Sequence, residues 1–269
     1  MPSAKLSVVS ALLLATAAWL SGCSSKPIDP TAKMTPEEIH AQAREEIENL
    51  QYAKGIELLE KLEGRAAGTP LAQQAQLEKA HAHYKAEEPA QAIATIDRFV
   101  RLHPASPAID YALYLKGLVN FNENKGLFSS ITRQDLSERD QQAAKESYAA
   151  FKELVTRFPN SRYTPDAQAR MTYIVNSLAQ YEVHVARYYH SRGAYVAAIN
   201  RAQQAIADYR DAPALEEALY ILVQSFDALK LPQLRDDARR VLETNYPQSR
   251  YLTGKSAPAR EQDPWWKMW

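Results

Sequence analysis

Apolar residues recur along most of this chain at the three-to-four-residue spacing of an α-helix buried on one face. No alternating run of useful length appears, so a sheet is not expected. Helical stretches stop at a repeated kind of punctuation: Phe99-x4-Pro104-x-Ser106, Phe158-Pro159-Asn160-Ser161-Arg162-Tyr163 and Tyr246-Pro247-Gln248-Ser249-Arg250-Tyr251. A proline after an apolar helix ends it, and the Asn or Ser that follows can cap the next one. Small residues recur as well, in pairs twelve apart: Ala41/Ala53, Ala80/Ala92 and Ala186/Ala198. Only small side chains let helix axes approach to ~8–10 Å, so each pair reads as the contact inside a helical hairpin.

Residues 71–104 show the whole unit, LAQQAQLEKAHAHYKAEEPAQAIATIDRFVRLHP, which resembles a tetratricopeptide repeat. The expected fold is all-α: five such hairpins in a curved solenoid at about 34–64, 71–104, 108–159, 165–210 and 214–247. The third carries a polar, Gly-interrupted insertion near Phe121 to Asp140. The fourth opens with a long helix from about Pro165 to Tyr189. The fifth has Arg235 where the second has Ala92, which weakens the packing expected there.

The N-terminus follows a different pattern. Lys5 precedes an apolar run from Leu6 to Leu20. Fifteen residues at ~1.5 Å each reach roughly 22 Å, short of the ~30 Å hydrocarbon core. A secretory segment therefore fits better than a spanning helix. The run ends in Leu20-Ser21-Gly22-Cys23, which resembles the lipobox of bacterial lipoproteins; the alternative is an accidental Cys after an ordinary signal peptide. On the lipobox reading residues 1–22 are a lipoprotein signal peptide, and Cys23 becomes the acylated N-terminus. Stable anchoring needs at least two acyl chains. Ser24 in the next position implies outer-membrane sorting within that class. Residues 23–33 form the lipidated N-terminus and linker, residues 34–251 the repeat domain, and residues 252–269 a flexible tail. That tail holds Trp265, Trp266 and Trp269; it is either a loose terminus or a docking segment.

Composition narrows the chemistry. The 269 residues carry 32 Lys+Arg against 32 Asp+Glu, which disfavours a nucleic-acid partner. With 8 glycines there is no phosphate-cradling loop, and the single Cys excludes a disulfide framework and a multi-thiolate zinc site. His81 and His83 are two apart, on different helix faces, and cannot share a metal. Adjacent acidic pairs such as Glu87-Glu88 read as solvated helix faces. Nothing argues for catalysis, metal or cofactor; the one expected covalent group is lipid on Cys23.

A binding surface is expected on the first helices of the hairpins. Repeat positions put Gln74, Leu77, His81 and Tyr84 there from one unit, and Tyr111, Tyr114, Leu118 and Phe121 from the next. Together they would make an aromatic-apolar groove suited to an extended peptide.

The most specific strings point to one family. Leu20-Ser21-Gly22-Cys23, Ile96-Asp97-Arg98-Phe99-x-Arg101-Leu102-x-Pro104, Asp110-Tyr111-x2-Tyr114-x2-Gly117-Leu118 and Phe158-Pro159-Asn160-Ser161 with Tyr163 are similar to the BamD (ComL/YfiO) family. So is Ala186-x-Tyr188-Tyr189-x2-Arg192-Gly193-Ala194-Tyr195-Val196-Ala197-x2-Asn200-Arg201. These lipoproteins are subunits of the machinery that assembles outer-membrane β-barrels. The resemblance runs from Pro36 to Arg250, with a departure at Gly64-Arg65-Ala66-Ala67-Gly68, where the family usually has an aromatic-Pro turn. It implies that the N-terminal repeats engage unfolded outer-membrane proteins. It also implies that the C-terminal repeats dock the periplasmic domains of the barrel subunit BamA, with BamC and BamE bound as well. Tyr188, Arg192 and Arg201 are the residues the resemblance nominates for the BamA contact. The expected location is the periplasmic face of the outer membrane. A competing reading is a tetratricopeptide lipoprotein that regulates peptidoglycan synthesis or envelope constriction; another is an enzyme with an unrecognised site.

Overall fold

The computed structural model describes residues 29–123 and 138–252. Cys23, the apolar run before it, most of the expected insertion and the Trp-rich tail lie outside the described residues. Ten helices and no strand occur among those described: α1 Pro36–Glu48, α2 Tyr52–Arg65, α3 Pro70–Lys85, α4 Pro89–Leu102, α5 Ile109–Glu123, α6 Glu138–Arg157, α7 Thr164–Ser191, α8 Tyr195–Asp208, α9 Leu215–Ala228 and α10 Pro232–Asn245. Each odd-numbered helix packs on the next, and each pair stacks on its successor, giving a tetratricopeptide-like solenoid of five hairpins.

Two turn types, reused along the chain, produce this arrangement. Within four hairpins the backbone passes through a left-handed residue: Leu50, Glu87, Gly193 and Lys230 have φ of 62°, 60°, 76° and 57°. In each, the next amide donates five residues back into the preceding helix, as from Gln51 to Glu46, Glu88 to His83, Ala194 to Tyr189 and Leu231 to Phe226. These are Schellman C-caps, which satisfy helix carbonyls while reversing the chain. Only Gly193 adopts that φ without crowding a Cβ. After each hairpin, the residues that end its second helix (Ala66, His103, Phe158, Tyr209 and Tyr246) each accept an amide from three positions on. Ser106, Ser161 and Ser249 reinforce three of these turns by accepting backbone amides two residues on.

Close approach inside the hairpins depends on small residues, and one expected pair is displaced. Ala80, Ala92, Ala186 and Ala198 are fully buried. Ala41 and Ala53 are exposed instead. The α1–α2 contact is made two residues later by Ala43 and Gly55, where an added Cβ would sit 2.5 Å from Ile47 Cγ1 and 3.2 Å from the Ala43 carbonyl oxygen. The twelve-residue spacing survives; the helix face is shifted by two positions, because an Ala-rich helix offers more than one small-residue register. In the third hairpin Gly117 lies beneath Phe151, with 2.3 Å from an added Cβ to the ring. In the fifth, Arg235 at the Ala92 position turns outward and pairs with Asp227 at 2.9 Å. Ala238 and Leu242 fill the contact there.

The core is built in three clusters. One lies under α1–α3, a second runs from Leu77 to Leu178, and a third from Ala179 to Leu242. The last two divide within α7. At 28 residues this helix packs its first half on α5 and α6, and its second half on α8 and α9.

Candidate functional site

On α5, Tyr111, Tyr114, Leu118 and Phe121 fall at successive three- and four-residue steps, so they share one face. Ala112, Leu113, Leu115 and Val119 occupy the opposite side and are buried. The four site residues remain half-buried, packed on the core from above. Leu77 behaves differently from the expectation: only 7% exposed, it is part of the core beneath and does not line the face. His81 and Tyr84 do continue it onto α3, their rings 6.2 Å apart. Gln74 is exposed and donates to Glu78 at 2.9 Å, while His40 of α1 meets the other oxygen of Glu78 at 2.7 Å.

What the sequence did not reveal is the other wall. Tyr163 stacks on Tyr114 with ring centroids 4.7 Å apart and planes 18° from parallel. It also meets Tyr111 at 5.6 Å. One turn into α7, Asp166 accepts the Tyr114 hydroxyl at 2.7 Å and the Arg170 Nε at 2.6 Å. Arg170 then lies over the Phe121 ring at 4.9 Å, and Tyr173 faces that ring at 5.6 Å. Arg162 covers Tyr163 at 4.7 Å. Tyr163, Asp166, Arg170 and Tyr173 advance along α7 in steps that keep them on one side, which is the only trace of this wall in the sequence.

The electrostatics suit a binding face rather than proton transfer. Burial pushes Tyr111 up to about 12, and the neighbouring Tyr163 adds to it. Burial alone takes Tyr173 to about 12. Tyr114 is raised by burial and by its bond to Asp166. Burial opposes ionisation of Asp166, yet the hydrogen bonds from Arg170 and Tyr114 hold its carboxyl below the usual range. Burial and then Lys85 push the His81 imidazole down. At neutral pH Tyr111, Tyr114 and Tyr173 are therefore neutral, beside a neutral His81 imidazole, the Asp166 carboxylate and the Arg162 and Arg170 guanidiniums. Cations over ring faces and stacked tyrosines hold these side chains in place before any ligand arrives. Among the described residues no group of three His, Cys, Asp or Glu could hold a metal ion, and no helix is long and apolar enough to cross a membrane.

The three residues nominated for a partner divide between two places. Tyr188 and Arg192 stand together at the α7–α8 turn, the guanidinium 5.3 Å from the ring centre and the tyrosine 53% exposed. Arg201 lies further along α8 and bonds Glu182 at 3.1 Å, a carboxylate that is itself only 6% exposed. Arg201 is itself exposed, so it neutralises this buried acid from the surface. Nearby, Arg187 grips Glu217 with two hydrogen bonds and ties α7 to α9.

Known proteins are similar in sequence to this chain across most of the repeat region. Residues 32–242 match the family model YfiO, described as an outer membrane lipoprotein. A protein of Neisseria meningitidis serogroup B named outer membrane protein assembly factor BamD is 46% identical, over 93% of this chain and 95% of its own. Its namesake in Neisseria gonorrhoeae is 45% identical over 98% of both chains. The one in Vibrio cholerae is 33% identical over 84% of this chain and 93% of its own. With a family match covering most of its length and relatives this similar, the chain belongs to the YfiO family of outer membrane lipoproteins.

Proposed function

We propose that the chain is a non-catalytic scaffold for the assembly of outer-membrane β-barrel proteins. It holds unfolded clients with its N-terminal hairpins and the barrel subunit BamA with its C-terminal ones. The names of its relatives give the process. The observation that carries the client-binding role is the face made by Tyr114, Tyr163, Asp166 and Arg170. Flat aromatic surface accepts apolar side chains of many shapes, and the fixed guanidinium can take a backbone carbonyl or a terminal carboxylate.

The second contact surface is assigned to the last two hairpins, through the Tyr188–Arg192 pair and Arg201, with BamC and BamE as further partners of the same assembly. Cys23 carries the lipid that keeps the domain on the periplasmic side of the outer membrane. No cofactor takes part.

The direct test is a fluorescence titration of a peptide copying the C-terminal strand of a porin. Tyr173→Ala and Arg170→Gln should each weaken binding about tenfold, the size of one lost aromatic or charged contact of ~1.4 kcal/mol. Equal affinity for both variants would place the client elsewhere.

A further inference from the structure

The linker expected over residues 23–33 does not stay separate from the repeat domain to its end. From Asp29 onward the chain is fastened to the C-terminal end of α2. Arg65 donates to the Thr31 carbonyl oxygen, to Thr31 Oγ1 at 3.1 Å, to Asp29 Oδ2 at 3.0 Å and to the Met34 carbonyl oxygen at 3.3 Å. Lys61, one turn earlier on the same helix, reaches Asp29 Oδ1 at 3.2 Å. Asp29 folds the strap on itself by accepting both the amide and the hydroxyl of Thr31, at 3.0 and 2.8 Å. Thr31 is 1% exposed, and Met34 packs against the first core cluster. Thr35 then opens α1 with a capping box to Glu38.

The length of chain left over decides what this arrangement does. Between Cys23 and Asp29 there are six residue steps, which span at most ~20–22 Å when fully extended. Were the strap loose, the tether would run to Thr35 and its reach would double to roughly 40–43 Å. The clamp sits beside the turn Ala66–Thr69, at the end of the first hairpin where α2 finishes. That turn is made of small, exposed residues (Ala67, Gly68 and Thr69).

We propose that Asp29, Lys61 and Arg65 form an anchor clamp whose partner is the lipid bilayer, setting a short stand-off that turns the Ala66–Thr69 end of the first hairpin toward the membrane. This rests on the reading that Cys23 is lipidated. The opposite end of the hairpins, marked by the turns at Leu50, Glu87 and Lys230, then faces the periplasm. The hydrogen bonds from Thr31 hold the Asp29 carboxyl down at about 2, so it stays charged at any pH the envelope meets.

The test uses full-length lipidated protein on vesicles of phosphatidylethanolamine and phosphatidylglycerol carrying a headgroup energy acceptor. Cys23 is the only natural cysteine, so Ala67→Cys and Lys230→Cys each give a single labelling site. Transfer should be strong from residue 67 and weak from residue 230. Asp29→Ala, at a residue outside every helix, should lower transfer from residue 67 to the level at 230 with helical circular dichroism unchanged. Twelve Gly/Ser residues inserted between Ser25 and Lys26 should do the same without disturbing the clamp. Equal transfer from both sites, or a loss with the longer leash but none with Asp29→Ala, overturns the clamp. Protein that does not float with the vesicles overturns the lipid anchor itself, and is distinguished by that flotation.

Discussion

Tyr114 of α5 donates its hydroxyl hydrogen to Asp166 of α7 at 2.7 Å, across 52 residues of sequence. The same carboxylate holds Arg170, and the same tyrosine ring is stacked on Tyr163. One contact therefore joins the third hairpin to the fourth and completes the proposed client face. Stability and binding meet at these residues, so substitutions must separate the two.

Tyr114→Phe keeps the ring stack and removes only the hydroxyl. Half-exposed Asp166 regains water and retains Arg170, so a loss of ~0.5–1.5 kcal/mol is expected in urea unfolding. Tyr114→Ala also removes the ring packed on Phe151 and Tyr163, and should cost ~3 kcal/mol or more. In peptide titrations the Ala variant should weaken binding well beyond the Phe variant. Equal weakening would mean the hydroxyl, and not the aromatic surface, reads the client.

Arg201 needs a compensated variant. Arg201→Glu would set two carboxylates together, and any lost partner binding could then reflect damaged packing. Arg201→Met alone leaves the buried Glu182 unpaired, for ~1–3 kcal/mol once solvent access to Arg201 is allowed for. Arg201→Met with Glu182→Gln should recover most of that in thermal melts. On the proposed contact role, BamA co-purification stays lost in the double variant. Recovered co-purification would show that Arg201 serves the fold alone.

Two glycines should respond to alanine for different reasons. Gly117→Ala drives a methyl into Phe151 and should cost ~1–3 kcal/mol. Adding Phe151→Leu should return part of it. Gly193→Ala has open space around it but forces a left-handed φ of 76° on an L-residue, for ~1–2 kcal/mol. No second-site change in packing should rescue that variant. Differential scanning calorimetry reads both losses.

Alkaline pH should unfold the protein through its tyrosines. Tyr111, Tyr173 and Tyr209 are held at about 12 in the fold, chiefly by burial, against an ordinary value of 10.0. A raised folded value means their contribution is fully present below pH 10 and is lost as the pH rises toward 12, because the unfolded chain ionises first. Tyrosinate absorbance should show a class of tyrosines titrating together with the loss of helical circular dichroism. A single titration near pH 10 with the helices intact would contradict this.

Much of the architecture was legible along the chain, for a reason visible in particular residues. Proline and aromatic punctuation at Pro104, Pro159 and Pro247 marks helix ends through backbone sterics, a local effect. Ala80 with Ala92 and Ala186 with Ala198 announce close helix contacts because only small residues permit them. The same rule misplaced the first hairpin's contact, since Ala41 and Ala43 are equally small. Only the packing of Ile47 against Gly55 selects between them. Leu77 shows the corresponding limit on the binding face: repeat position puts it near the surface, while neighbouring hairpins bury it.

By itself, then, the sequence determined ten helices, their pairing into hairpins and the aromatic face of α5, because each depends on residues within a few helical turns. The tertiary structure decided everything that depends on register between distant helices. It brought Tyr163, Asp166 and Arg170 against Tyr114, gave Arg201 a buried partner in Glu182, and fastened Asp29 to Arg65. Helical periodicity states which face of each helix is apolar. It carries no information on which neighbour that face will meet, and the contacts that build this protein's surfaces lie between elements up to 52 residues apart.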